Sequence, residues 1–237
     1  MPSEATLNKF LTHPLPEVIE LDRELTGKLF VIEGSDGSGR STQIRLLSRW
    51  LEAKGQSVKH MGIKRSNLAG EQLTLATQGN VLTNTTMTLF YATDLFDQLV
   101  TEIIPALAAG SIVLADRYIY TLMARARVRG SDDEWLRNIY GPAVIPDAVF
   151  YFELEGEDLF ERYLTKSRSL DYWESGLDLN LADDMFESFN SYQSLMHNEF
   201  QKMVDEYGFD KIDANRHVFA IQKTLRKRIR SFFEGEG

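Results

Sequence analysis

Short apolar runs alternate with amphipathic stretches along this chain. Leu29 to Ile32 (Leu-Phe-Val-Ile) has no polar position, the pattern of a strand buried on both faces of a parallel sheet. From Thr42 to Lys54, Ile44, Leu47 and Leu51 fall on one helical face, and Gly55 supplies a stop. Val58 to Ile63 reads as a second, weaker strand. Asn84 to Ala109 predicts a long helix ending at Gly110, where Pro105 removes one internal hydrogen bond and calls for a kink or a tightened turn. Ser111 to Ala115, Ala148 to Glu153 and Phe209 to Asp213 predict three further strands. Asp158 to Glu206 reads as mostly helical, with a polar break from Lys166 to Asp184. Strands alternating with helices predict an α/β fold: a five-stranded parallel sheet with right-handed crossovers and helices on both faces. Residues 1–27, with Pro14 and Pro16 and no long period, read as an N-terminal extension, packed on the domain or partly detached. Residues 28–237 read as one domain without repeat, low-complexity tract or internal linker.

The strongest chemical signal lies where the first strand meets the first helix. Gly34-Ser35-Asp36-Gly37-Ser38-Gly39-Arg40-Ser41-Thr42 matches G-x-x-x-x-G-K-[ST] except that Arg40 stands at the lysine position. Glycines let backbone N–H groups turn inward around phosphate oxygens, and the helix that follows adds the positive end of its dipole. Ser41 or Thr42 offers a hydroxyl to Mg²⁺, and the nine residues together predict a site for ATP. The bland alternative, a Gly-rich turn that merely joins strand to helix, does not account for the spacing and both flanks at once. Arginine keeps the charge of lysine but presents a wider planar fork. Two readings of Arg40 stay open: a loop that has adjusted and still supports transfer, or a site that binds nucleotide without turnover.

Composition narrows the setting. The chain has 237 residues, no cysteine and a net charge of −9. Absence of cysteine excludes disulfides, thiolate metal sites and cysteine nucleophiles, and fits a reducing cytoplasm. The negative charge argues against a binder of nucleic-acid polymers, which needs clustered cations. No run approaches the roughly 18 apolar residues of a membrane span, so no membrane partner is expected. The four histidines, His13, His60, His197 and His217, show no metal-ligand spacing.

The residues in order resemble the thymidylate kinase family. Phe30-Val-Ile-Glu-Gly-Ser-Asp-Gly-Ser-Gly-Arg-Ser-Thr-Gln43 is similar to the family's F-x-x-[FL]-E-G-x-D-G-x-G-K-S-T-Q. Ile104-Pro105-Ala-Leu107, Gly110 and Val113-Leu-Ala-Asp-Arg-Tyr118 resemble I-x-P-A-L-x-x-G-x-x-V-x-x-D-R-Y, with Thr121 and Ala124 continuing the block. Pro146-Asp147 with Phe150-Tyr-Phe152, and Ile212-Asp213-Ala214, resemble later strands of the family. The resemblance implies a three-layer P-loop NTPase fold with a helical lid, and transfer of the ATP γ-phosphoryl to a nucleoside monophosphate, dTMP first among them. It also implies a homodimer, for which the helix from Asn84 offers a surface.

Roles carry over residue by residue. The resemblance places Asp36 beside the acceptor's sugar, Asp116 near Mg²⁺ with Ser41, and Arg117 on the acceptor phosphate. Arg65, in Lys64-Arg65-Ser66, matches an F-P-x-R-S pattern weakly and would meet the same phosphate; a solvated arginine is the alternative. Phe90 stands where the family stacks an aromatic on the base; an aromatic in the core is the alternative. Ala214 and Asn215 fall on the adenine side. Residues 162–184 correspond to the lid, with Arg162, Lys166 and Arg168 as cations for the transferring phosphoryl. Asp171 and Glu174 are similar to a D-R-x-E segment in which Tyr172 replaces arginine. Two positions depart where the base is read: Asp94 replaces an arginine and Ala126 a glutamine. A carboxylate only accepts hydrogen bonds. Asp94 is therefore expected to pair with Arg125, to accept from an exocyclic amine, or to face solvent. Rival functions are a silent nucleotide-binding protein and a kinase of the same fold with another nucleotide or a nucleoside as acceptor.

Overall fold

The computed structural model describes residues 9–15, 24–80, 82–154 and 172–233. Its centre is a sheet of five strands: β1 (Lys28–Gly34), β2 (Val58–Gly62), β3 (Ile112–Asp116), β4 (Ala148–Glu153) and β5 (Asp210–Asp213). All pairings are parallel, in the order β2-β3-β1-β4-β5. The order reverses on either side of β1, so the loop after β1 opens at the switch point, where open parallel sheets bind ligands.

Alternation along β1 divides the core in two. Leu29 and Val31 pack into one buried cluster with Leu95, Leu99, Ile103, Leu107, Tyr118 and Met123. Phe30 and Ile32 point the other way, into a cluster with Ile44, Leu47, Leu51, Ile221, Leu225 and Ile229. Successive strand residues face opposite sides of a sheet, so a four-residue apolar run needs helices on both. One face carries α1 (Arg40–Glu52) and α8 (Val218–Arg230). The other carries α3 (Asn84–Gln98), α4 (Ile104–Ala108), α5 (Ile119–Val128) and α7 (Met185–Tyr207). The peripheral helices are α2 (Gly70–Gln78) and α6 (Asp133–Tyr140).

The expected single helix from Asn84 is interrupted differently from expectation. Ahead of Pro105 the chain forms a π-helical segment, Leu99–Ile103, between α3 and α4. A π turn is wider than an α turn, so the backbone loosens rather than tightens, which makes room for the proline ring against the preceding turn. Of the N-terminal stretch, Phe10 forms an antiparallel bridge with Val144 and is buried. No described helix is long and apolar enough to cross a membrane.

Candidate active site

β1 ends at Gly34, whose φ of 140° suits glycine and whose Cβ, if present, would lie 2.7 Å from the carbonyl oxygen of Phe152. The loop closes at Gly39, with φ 91°, which caps α1. Arg40 is the first residue of α1, and its side chain folds back into the loop. One terminal nitrogen donates to the carbonyls of Gly34 and Ser35, and Nε donates to Asp116 Oδ1 at 2.9 Å. The other terminal nitrogen lies 3.6 Å from Asp36. The Ser41 hydroxyl donates to the second oxygen of Asp116 at 2.9 Å. A five-donor fork can make all these contacts at once; an ammonium cannot. Arg40 thus ties the loop to the end of β3. Two loop hydroxyls, Ser35 Oγ and Ser38 Oγ, and Arg117 Nε are buried with no hydrogen-bond partner in the protein. Buried donors left unmatched beside a glycine loop fit a ligand rich in acceptor oxygens, as a polyphosphate is. Ser41 and Asp116 offer Mg²⁺ a hydroxyl and a carboxylate, the small oxygen set it uses alongside phosphates and water. No group of three or more His, Cys, Asp and Glu forms a metal site among the described residues.

Beyond β3, Arg117 adopts φ 70°, rare for a residue with a side chain. Neighbouring bonds hold it there: Arg117 N donates to Ile32 O at 3.0 Å, and Tyr118 N to Glu33 Oε1 at 2.9 Å. Glu33 also accepts from Thr121 N and from the Thr121 hydroxyl. The backbone turn aims the Arg117 guanidinium at the loop, where it pairs with Asp36 and comes within 3.7 Å of Glu174. Arg125, one helix face further along α5, donates to the same Glu174 oxygen at 3.1 Å. Asp36, Arg117, Thr121, Arg125 and Glu174 line one cavity with Tyr192 of α7.

Charge pairing sets the titration of these groups. Burial works to raise the Asp36 pKa, but Arg117 and Arg40 outweigh it and hold the carboxyl well below its ordinary value. Burial works to raise Asp116 too, but Arg40, Arg117 and the Ser41 hydroxyl together hold it below its ordinary value. Glu33 goes the other way: complete burial pushes it up, and hydrogen bonds from Thr121 and Tyr118 offset only part.

Asp94, expected near the acceptor base, turns to other partners within the protein. Its carboxylate is 2% exposed and turns to the loop after β2, accepting from Lys64 N at 2.7 Å and Ser66 N at 2.8 Å. Gln98 Nε2 donates to it at 3.1 Å. It neither pairs with Arg125 nor faces solvent. Phe90 packs against the core cluster rather than lining the cavity at Asp36. Arg65 is exposed and lines a separate groove together with Ser41 and Asp116. Ala214 is buried and donates to Glu153 O at 2.9 Å, while Asn215 is exposed beside it. Arg162, Lys166, Arg168 and Asp171 lie outside the described residues. Sequence reasoning missed Glu33 as the anchor of α5, although it stands in the quoted glutamate-glycine pair. It also missed Glu174 as a cavity residue, having placed it only in a charged lid segment.

A family model described as thymidylate kinase matches residues 32–225. A probable thymidylate kinase 2 of Saccharolobus solfataricus is 33% identical over 211 residues, covering 89% of this chain and 99% of that protein. A thymidylate kinase of Shouchella clausii is 36% identical over 143 residues, 57% of this chain and 67% of that protein. A probable thymidylate kinase of Thermococcus kodakarensis is 34% identical over 142 residues, 56% of this chain and 69% of that protein.

Proposed function

Because the chain belongs to the thymidylate kinase family, we propose that it transfers the γ-phosphoryl of ATP to dTMP, giving ADP and dTDP. The observation that carries this reading is the meeting of the glycine loop with Arg117 and Asp36 at the end of β3. A donor polyphosphate in the loop and an acceptor phosphate at Arg117 would then lie side by side.

The acceptor's phosphate oxygen is already ionised at neutral pH, so no general base is required. Catalysis reduces to positioning and charge neutralisation. Loop N–H groups, Ser35 and Ser38 hold the donor's phosphates. Arg40 stiffens the loop and brings one positive charge to it. Arg117 orients the acceptor phosphate, and Asp36 accepts from a sugar hydroxyl. Ser41 and Asp116 would hold Mg²⁺, which would supply charge neutralisation at the phosphates. Thr42, at the start of α1, completes the loop, and Ala214 and Asn215 stand on the adenine side. Arg65, Thr121 and Arg125 belong to the acceptor side, and Arg162, Lys166 and Arg168 to the lid.

A coupled assay of ADP formation with Mg²⁺-ATP and dTMP, dUMP, dCMP, dGMP and dAMP tests this. The expected result is turnover with dTMP foremost. Arg40→Ala is expected to lose about 10- to 150-fold in kcat/KM, the equivalent of one charge-assisted contact of about 1.5–3 kcal/mol. Nucleotide binding without ADP formation from any monophosphate would overturn the kinase reading and favour a silent binder. We also propose a cytoplasmic location, in keeping with the cysteine-free composition. A homodimer belongs to the same proposal. Leu89 on α3 and Leu75 on α2 are 47% and 61% exposed on two helices in contact. A monomeric mass by sedimentation at micromolar concentration would refute it.

A further inference from the structure

We propose that the Glu174 carboxylate occupies the seat of the acceptor's phosphate, and that the acceptor must displace it to bind. This rests on the assignment of Arg117 to that phosphate.

Three guanidiniums (Arg40, Arg117 and Arg125) and three carboxylates (Asp36, Asp116 and Glu174) form one chain of contacts through the site. It runs from Ser41 and Asp116 through Arg40 to Asp36, then through Arg117 to Glu174 and Arg125. Each of these three guanidiniums already faces a protein carboxylate. Five of the six stand on α1, β3 and α5 or in the turns after β1 and β3, so their backbones are fixed by the sheet. Asp36 is held by two of the arginines. Glu174 differs from the other carboxylates in its reach. It approaches from a distant segment, and a single oxygen, Oε1, faces both Arg117 and Arg125. One anionic oxygen shared by two buried guanidiniums is the arrangement in which arginines hold a phosphate oxygen.

Space supports the same conclusion. The cavity at these residues is about 40 Å³, room for a few waters and not for a nucleotide. Something must leave before an acceptor enters. The backbone around Glu174 is pinned on several sides. The Trp173 indole donates to Thr77 O at 2.7 Å, and Arg129 donates to Trp173 O at 2.9 Å. Gln193 donates to Glu174 O at 3.2 Å, and Ser188 to Ser175 O at 2.9 Å. With its backbone held, the Glu174 side chain can swing out only by giving up its contacts with Arg125, Arg117 and Asp36, and these are what an incoming phosphate would replace. That motion opens room and turns both guanidiniums toward an incoming dianion, Arg117 keeping its pair with Asp36. Glu174 is thus an internal competitor that weakens binding of the phosphate and leaves the rest of the acceptor untouched.

Calorimetric titration of dTMP and of thymidine, which lacks the phosphate, isolates this effect. In Glu174→Gln, a nearly isosteric change, dTMP is expected to bind about tenfold more tightly and thymidine as in the wild type. Glu174→Ala provides a second variant with the same expectation should the glutamine refold onto Arg125. Unchanged or weaker dTMP binding in both variants, or an equal gain for thymidine, would overturn the proposal. Tightened binding of a dTMP that is never phosphorylated would sink the kinase assignment and leave this one standing. No binding of dTMP to any of the three proteins would overturn both.

Discussion

Arg117 and Asp94 show how much of a residue's role lies in the backbone it meets. Arg117 reaches the phosphate loop because its backbone is held in a left-handed turn by Ile32 and by Glu33 through Tyr118. The Asp94 oxygens instead accept from amides of the loop after β2. Lys64 itself has φ 62°, so the loop it enters bends sharply and needs those acceptors. Asp94→Ala is therefore expected to destabilise the protein by about 2–4 kcal/mol, since it leaves two amide donors without partners. The ranking of acceptors in Asp94→Ala is expected to match the wild type. Thermal unfolding and the acceptor panel check this together; a changed base preference with an unchanged melting temperature would restore Asp94 as a reader. The sequence carries the type of each of these residues plainly, and its glycine spacing locates the loop. It does not carry which backbone N–H a given carboxylate will find, because that depends on how a distant turn folds. Arg40 illustrates the same limit. Its place in the motif is legible, but its bond to Asp116, across 76 residues of sequence, is a product of the β1–β3 pairing.

At the scale of elements, one glutamate joins the first strand to the helix that carries Thr121 and Arg125. Glu33 is the penultimate residue of β1, fully buried, and it accepts from Tyr118 N and from both donors of Thr121 at the start of α5. It acts as a cap supplied from outside the helix, where the local N-cap residue Tyr118 makes no side-chain cap. An anion there also suits the helix dipole. Glu33→Ala is expected to lower stability by about 2–4 kcal/mol and to release the turn at Arg117. The KM for the acceptor should then rise in protein that is still folded at low temperature. Chemical denaturation and steady-state kinetics measure the two effects; loss of stability with unchanged KM would confine Glu33 to the fold. Strands were the legible elements, because an apolar run needs little context. The π segment before Pro105 was not, since proline announces a disruption without saying whether the turn widens or tightens.

Across the whole molecule, two apolar clusters hold the sheet from either face while a polar seam crosses its carboxyl end. The seam makes stability depend on pH in a definite direction. Asp36 and Asp116 have folded pKa values below the ordinary carboxylate value. Their contribution is fully present above the unfolded value, about 3.9, and is lost as pH falls through the lower folded values. Each such group adds up to about 1.4 kcal/mol per pH unit to the slope of that acid limb. Glu33 and Asp94 act oppositely, because burial raises their folded pKa values. They cost stability as pH rises from the unfolded value through the folded one, and so they add nothing to loss at the acid end. The ligand-free protein is thus expected to lose stability steeply below about pH 4. Combining Asp36→Asn with Asp116→Asn should make the protein less stable at pH 7, where Arg40 loses both of its counter-charges and Arg117 one of two. The same double variant should unfold along a flatter acid limb, so that the two stability curves converge as pH falls. Urea unfolding followed from pH 7 to pH 2 measures both features. A double variant with the wild-type slope below pH 4 would show that the acid limb belongs to carboxylates elsewhere, and that the seam is held by contacts indifferent to its charge.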